Sequence, residues 1–360
     1  MPASELQAPS QADGWEPRVH AVGEAQRAEW DRFVSEQVHG NLLQSYGWGE
    51  LRRRQSWSVL RLAALDPNEA RWVGAIQVLR QPLPLFRRWS WGYAPQGPVL
   101  ASVAEVEGCR ALLRSAGRWL RRSGAIQLKC DPEWPVGAAA EHLRRACGLR
   151  PARFDVQQRD TWLVDLAPDS PTTLAGLPSS TRRNIRLAQR AGVEVVRTTE
   201  PEAVATFYAL HLQTVERQHF TTRPQAYYRG VLEELGASVF VAQLRGEPLA
   251  AAIAVTFGPR LIYLFGGTSA AAPEARASYA LHWAMIEWGI EADCALYDMW
   301  GIPRRFDSSR PDHGYALFKT RWGGRAAHYG GLLIAPLLGP LDPLVHGLEA
   351  VALRRRPLLR

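Results

Sequence analysis

One order of elements occurs twice along this chain, and a repeat of that size constrains the architecture before any single motif does. In the first half an apolar, β-branched run over 72–78 is followed by aromatic residues (Trp89, Trp91, Tyr93). A helical stretch over 106–122, ended by Gly124, then leads to a strand over 125–130 and Asp131. In the second half a run over 249–255 leads to an aromatic strand over 261–265, a helical stretch over 278–291, a strand over 294–297 and Asp298. A further helix follows each Asp and ends at a glycine, first over 141–148 and then over 315–323. Helices alternating with short strands specify α/β layers, and a duplicated unit of roughly 170 residues accounts for the order.

The join between the units falls near Pro151. Residues 153–157 and 161–166 read as opening strands of the second unit, followed by a loop over 167–178. The next helix takes Ser180 as N-cap and Gly192 as its stop. Another helix opens on a capping box, Thr199-x-x-Glu202, with Pro201 in its first turn, and carries Phe207, Leu210 and Val215 at helical spacing.

At 360 residues the chain has length for two domains, and 46% apolar with 22% charged residues exclude a disordered or fibrous chain. The longest apolar run, 330–341, is broken by Pro336 and Pro340 and falls short of the ~20 residues of a spanning helix. Residues 1–17 lack the regions of a signal peptide and read as a disordered polar tail. The four cysteines (109, 130, 147 and 294) show neither metal nor disulfide spacing and read as reduced thiols of a cytoplasmic protein.

With 43 Lys and Arg against 35 Asp and Glu, the net charge is +8, which favours anionic partners. Only Lys129 and Lys319 are lysines; every other basic residue is Arg. Arginine cannot release its proton, whereas lysine is a compact charge that its surroundings can tune. Lys319 lies between aromatic residues in Leu317-Phe318-Lys319-Thr320-Arg321-Trp322-Gly323. It reads either as a partly desolvated cation facing a developing oxyanion or as a snorkelling side chain.

Arg182, Arg183, Arg186 and Arg190 form a basic stripe after Ser180, fit to engage phosphates or to face solvent. Thr214 and Arg217 share a face of the following helix, where Arg217 clamps an anion or forms a surface ion pair. Asp131 and Asp298, each at the end of a strand, read as ligand or amine binders or as turn caps. Gly266-Gly267-Thr268-Ser269 offers backbone N–H groups to an anion. No phosphate loop, His-Glu-x-x-His or Gly-x-Ser-x-Gly occurs, and the nine histidines have no metal spacing, so no metal site is expected.

Read together, the chain resembles the Fem family of peptidoglycan bridge-forming, tRNA-dependent aminoacyltransferases. The matching stretches begin with Leu43-Gln44-Ser45-Tyr46-Gly47-Trp48-Gly49 and Thr181-Arg182-Arg183-Asn184-Ile185-Arg186-Leu187-Ala188. They continue with Thr214-x-x-Arg217, Tyr263-Leu264-Phe265-Gly266-Gly267-Thr268-Ser269, Tyr297-Asp298-x-x-Gly301-Ile302 and Phe318-Lys319-x-x-Trp322-Gly323. They run in the family's order over about residues 40 to 330.

The resemblance implies two tandem acyltransferase-like (GNAT-like) α/β domains. The first would comprise 18–150 plus about 316–345. The second, 151–315, would be inserted before the C-terminal return, and a basic tail would cover 346–360. The implied reaction moves an amino acid from its tRNA ester to the side-chain amine at position 3 of a peptidoglycan stem peptide. The acceptor would be a UDP-MurNAc-pentapeptide or its lipid-linked form.

By the same resemblance Phe318 and Lys319 are the catalytic pair, and Arg217, Tyr263 and Thr214 bind the acceptor. Gln44 and Trp48 line the first-domain cleft, Asp131 and Asp298 contact substrate, and Arg182, Arg183 and Arg186 bind tRNA phosphates. The ester is already activated, so no cofactor is required beyond aminoacyl-tRNA as co-substrate.

There is no heptad run for the helical-hairpin insertion of some relatives, which implies the shorter, monomeric type. Arg354, Arg355 and Arg356 lead to the expectation of peripheral contact with anionic lipid at the inner membrane face, each Arg adding about 1 kcal/mol. Two other readings remain: an acetyl-CoA-dependent N-acyltransferase and a non-catalytic binder of tRNA or cell-wall precursors.

Overall fold

A computed structural model of the chain describes residues 16–82, 90–304 and 313–337. In chain order the strands are β1 (Arg18–Ala21), β2 (Ser58–Leu65), β3 (Trp72–Pro82), β4 (Ser90–Ala94), β5 (Val99–Leu100), β6 (Ala125–Cys130), β7 (Arg150–Pro151) and β8 (Asp160–Asp165). Then come β9 (Val193–Thr198), β10 (Ser238–Leu244), β11 (Glu247–Phe257), β12 (Arg260–Thr268), β13 (Leu296–Ile302), β14 (Arg325–His328) and β15 (Leu333–Pro336). The helices are α1 (Arg27–Glu36), α2 (Tyr46–Arg53), α3 (Val106–Arg122), α4 (Ala138–Ala146) and α5 (Ser170–Gly176). They continue as α6 (Ser179–Arg190), α7 (Ala203–Gln218), α8 (Gln225–Leu235), α9 (Ala277–Glu291) and α10 (His313–Thr320).

The repeat is realised strand for strand. One sheet runs β1-β2-β3-β4-β6-β15-β7 with β5 beside β3, and the other runs β9-β10-β11-β12-β13-β8-β14. In each, three antiparallel pairings lead to a helix, α3 or α9, that crosses to a parallel neighbour, β6 or β13. The place beside β6 is filled by β15, from the far end of the chain, and the place beside β13 by β8. The chain therefore leaves the first sheet, builds the second and returns.

That return starts later than the expected residue 316. β14 pairs with β8 in the second sheet, and Trp322, fully buried in the second core, pins the segment after α10 there. The chain touches the first domain again from His328 and Tyr329, which bond with Val136 and Pro135, and β15 then joins the first sheet.

Both faces of the second sheet are covered, which is why β11 reads as an unbroken apolar run. Ala251, Ile253 and Val255 face α7 and α8, while Ala250, Ala252 and Ala254 face α6 and α9. The first sheet is likewise packed by α3 on one side and α1 on the other.

Several local expectations change. Residues 153–157 form no strand, and the loop over 167–178 contains α5, capped by Asp169, whose side chain accepts from the Thr172 N–H. Ser180 lies inside α6 and Pro178 holds the N-cap position, while Gly192, with φ +83°, follows the helix as expected. Thr199 and Glu202 form no capping box; instead Thr198 Oγ1 accepts from the Glu200 N–H. β13 starts at Leu296 and runs through Asp298 to Ile302, so Asp298 is internal to a strand. Residues 1–15 of the expected N-terminal tail and the basic tail at 346–360 lie outside the described residues. No helix among the described residues is long and apolar enough to cross a membrane.

Ala252 is fully buried between β11 and α9. Ala252→Leu overpacks that layer and lowers stability by about 1–3 kcal/mol, measured as a lower urea midpoint by tryptophan fluorescence.

Candidate active site

The parallel pairing of β12 with β13 stops at Ile262 and Asp298, although β12 continues to Thr268 and β13 to Ile302. A cavity of about 740 Å³ opens where the strands part, lined by residues 263–268 together with His211, Thr214, His282, Phe318 and Lys319. Helix α10 presents Phe318 and Lys319 to it. Trp162 Nε1 donates to the Gly323 carbonyl at 2.6 Å, and Thr181 Oγ1 donates to the Arg321 carbonyl, tying the end of α10 to the second domain.

The Lys319 ammonium donates to the carbonyls of Gly301 (2.9 Å) and Trp300 (3.4 Å), and it lies 5.0 Å and 5.9 Å from the rings of Tyr315 and Tyr263. Burial pushes its pKa down to about 7 against the opposing pull of the Asp298 carboxylate. Phe318 packs its ring on Tyr279 and His282 at 5.4 and 5.0 Å, closing the apolar wall.

His282 is held by Tyr297, with 2.7 Å between Nδ1 and the hydroxyl. Burial, reinforced by the Lys319 charge, pushes it down to about 3, so the imidazole is neutral. The site is thus one tunable ammonium in an aromatic wall beside a neutral imidazole. Such a wall can stabilise negative charge on a carbonyl oxygen at low local dielectric.

Tyr263 and Thr214 line the same cavity, and Arg217 sits exposed beside it, donating to Thr268 Oγ1 at 2.8 Å and Thr214 Oγ1 at 3.2 Å. The Gly266–Ser269 segment is not an anion loop. The Thr268 and Ser269 N–H groups go to Thr214 Oγ1 and the Leu249 carbonyl, and the glycines serve close packing. A Cβ on Gly267 would lie 2.4 Å from the backbone nitrogen of His211.

Other expected residues are elsewhere. Gln44 is fully buried in the first domain, its amide donating to the Pro95 carbonyl at 2.7 Å and accepting from the Gln77 N–H at 2.7 Å, so it lines no cleft. Trp48 packs at the seam where α2 meets α8. Asp131 accepts from the Tyr93 hydroxyl and the Gln96 N–H, both at 2.7 Å, and burial raises it to about 6. Asp298 is buried beneath the cavity, outside its lining. Arg182 caps α5 by donating to the carbonyls of Ala175 and Leu177, whereas Arg183 and Arg186 stay on the exposed face of α6.

The sequence reading missed His282, whose signal is an ionisable side chain within the apolar stretch Ala280–Ile286 of α9. It also missed Arg52, one turn past Trp48, whose Nε is buried without a partner and whose guanidinium lies 4.8 Å from the Trp57 ring.

The FemAB family model matches residues 25–146, and an acetyltransferase (GNAT) domain model matches 179–308. The chain is 26% identical over 306 residues to the UDP-N-acetylmuramoylpentapeptide-lysine N(6)-alanyltransferase of Weissella viridescens, covering 81% of this chain and 87% of that one. The chain is thus similar to the FemAB family, by the family model over residues 25–146 and by these relatives over most of its length. A second relative, the lipid II:glycine glycyltransferase of Staphylococcus saprophyticus, is 23% identical, with 89% of this chain and 94% of its own covered.

The crystal structure of FemX superposes with a TM-score of 0.83 at 21% identity over 91% of this chain and all of that one. A tandem GNAT protein from the clavulanic acid biosynthesis pathway superposes at 0.53 with 14% identity, over 90% and 99% of the two chains. The chain is therefore built of two tandem GNAT-like domains.

Gln44→Leu leaves the Pro95 carbonyl and Gln77 N–H unpaired and destabilises the first domain by about 2–4 kcal/mol, measured by urea unfolding, with Lys319 unaffected. Unchanged stability would return Gln44 to the binding residues.

Proposed function

We propose that this chain is an aminoacyltransferase of peptidoglycan bridge formation. It moves an amino acid from its tRNA ester to the side-chain amine at position 3 of a precursor stem peptide. The observation that carries this reading is the Lys319 ammonium in the aromatic wall of the cavity, in a chain similar to FemAB-family transferases. An acceptor amine attacks the ester carbonyl, the oxygen takes up negative charge, and the Lys319 ammonium stabilises it. Collapse of the tetrahedral species breaks the ester bond, and the leaving ribose hydroxyl takes a proton as the amine loses one. No metal or nucleotide is consumed, because the ester carries the free energy. Arg217 and Tyr263, beside the cavity, suit the sugar phosphates of the acceptor, and the exposed Arg183 and Arg186 suit the phosphates of tRNA. The acceptor is the soluble nucleotide-linked pentapeptide or its lipid-linked form, the latter placing the protein at the inner membrane face.

The acetyl-CoA reading is disfavoured by the sequence of the turn between β12 and α9, where Gly266 to Ala272 lack the Arg/Gln-x-x-Gly-x-Gly/Ala pattern of a pyrophosphate loop. Acetyl-CoA accordingly leaves thermal unfolding unchanged.

Incubation with a mixture of charged tRNAs and UDP-MurNAc-pentapeptide should add the mass of an amino acid to the peptide; no mass gain would refute the proposal. Lys319→Arg keeps the charge but not its position and lowers turnover by about 100-fold. Attack needs the neutral acceptor amine and the charged Lys319 together, so turnover rises with pH below about 7, the value to which burial brings Lys319, and levels off above it. A profile that keeps rising about tenfold per pH unit from 7 to 9 would remove Lys319 from the mechanism.

A further inference from the structure

Two backbone carbonyls accept from the Lys319 ammonium, those of Trp300 and Gly301, so whatever shapes that backbone shapes the site. The backbone is irregular there: the pairing of β13 with β8 shifts register between Asp298 and Gly301, and Trp300 has φ +66°. A left-handed conformation is strained for tryptophan and persists only where neighbours enforce it. Asp298 enforces it. Its Oδ1 accepts from the Trp300 N–H at 2.8 Å and from Thr161 Oγ1 on β8.

The other carboxylate oxygen of Asp298 lies 3.9 Å from Arg260 Nη1. Arg260 in turn reaches into the first domain, where Nη1 meets Glu133 Oε2 at 2.9 Å and Nη2 donates to the Val38 carbonyl at 3.0 Å. Glu133 Oε1 accepts from Asn41 Nδ2 at 2.7 Å. Asp298 and Glu133 are both buried, and such charges persist in a core only when paired and hydrogen-bonded.

We propose, on the reading that Lys319 is the catalytic cation, that Asp298 is its positioning residue, building the bulge whose carbonyls hold the ammonium, and that the Glu133–Arg260 pair ties this device to the first domain. The groups facing Lys319 are Asp298 from β13, the neutral His282 from α9, the Tyr263 ring from β12 and Tyr315 on its own helix. Among the described residues facing it, Asp298 supplies the negative charge, and Arg260 offsets part of it.

The test exploits the lysine count. Selective 13C labelling of lysine in the full chain gives signals from Lys129 and Lys319 alone, assigned with Lys129→Arg, and each can be titrated directly. Asp298→Asn keeps an acceptor for the Trp300 N–H but removes the charge. Its Lys319 midpoint falls by about one unit or more, with Lys129 unmoved, and turnover at neutral pH falls about tenfold or more at unchanged KM for the precursor. The double variant Glu133→Gln, Arg260→Gln removes the interdomain pair without leaving Glu133 charged and unpaired, Asp298 keeps its Trp300 and Thr161 hydrogen bonds, and, with Arg260 no longer offsetting Asp298, the Lys319 midpoint moves upward. A folded Asp298→Asn variant whose Lys319 midpoint equals that of the unmodified chain would overturn the proposal. Should that variant fail to fold, an unmoved midpoint in the double variant would overturn it. Absence of transfer by the unmodified chain would count against the functional reading alone, since the lysine titration needs no substrate.

Discussion

The site depends on one uncomfortable arrangement: an ammonium held in an aromatic wall with backbone carbonyls as its acceptors. Burial brings Lys319 from its ordinary 10.5 to about 7, so holding it charged costs the fold on the order of 5 kcal/mol relative to solvent. The unfolded chain binds the proton more tightly, so this penalty is fully present below about pH 7 and fades as pH rises towards 10.5. A fold bears such a term where the same desolvation strengthens the field of the ammonium on a reacting carbonyl. Phe318, Tyr263 and Tyr315 supply the low-dielectric wall, and the bulge in β13 supplies the hydrogen bonds.

The two domains share a plan and differ in what they do with it. Each sheet ends its parallel crossover at an aspartate, and each aspartate accepts from a hydroxyl and from the N–H of a non-glycine residue with positive φ. Asp131 takes the Tyr93 hydroxyl and the N–H of Gln96, with φ +49°; Asp298 takes the Thr161 hydroxyl and the N–H of Trp300, with φ +66°. The aspartates are matching braces for a turned backbone. In the second domain that backbone faces Lys319; in the first, Gln44 fills the interior and the buried lysine is Lys129, on β6 itself, 4.7 Å and 5.2 Å from the rings of Trp91 and Phe154.

Much of the architecture was legible because the repeat is written in periodicity. Helices α3 and α9 and strands β3, β6, β11 and β12 follow from apolar runs and glycine stops, whereas the C-terminal return came only from the family resemblance. What was not legible depends on side chains that meet across long separations. The turn-cap reading of Asp298 anticipates its local bond to the Trp300 N–H, but not its partners Thr161 and Arg260, which are distant in sequence from it and from each other. Arg182 reads as part of a basic stripe until its guanidinium is seen capping α5. Gln44 reads as a cleft residue until its amide is seen closing on Gln77 and Pro95. Lys319 was found by composition: in a chain that otherwise uses arginine, a retained lysine between aromatic residues marks a position where arginine's fork does not serve.

The claim that the acyl ester sits against Lys319 is tested most directly by adding an amide-linked aminoacyl-adenosine, a stable mimic of the charged tRNA end, to the lysine-labelled chain. Binding in the cavity shifts the Lys319 signal and leaves Lys129 where it is. A saturating complex in which Lys319 stays unperturbed would place the ester elsewhere and contradict the account.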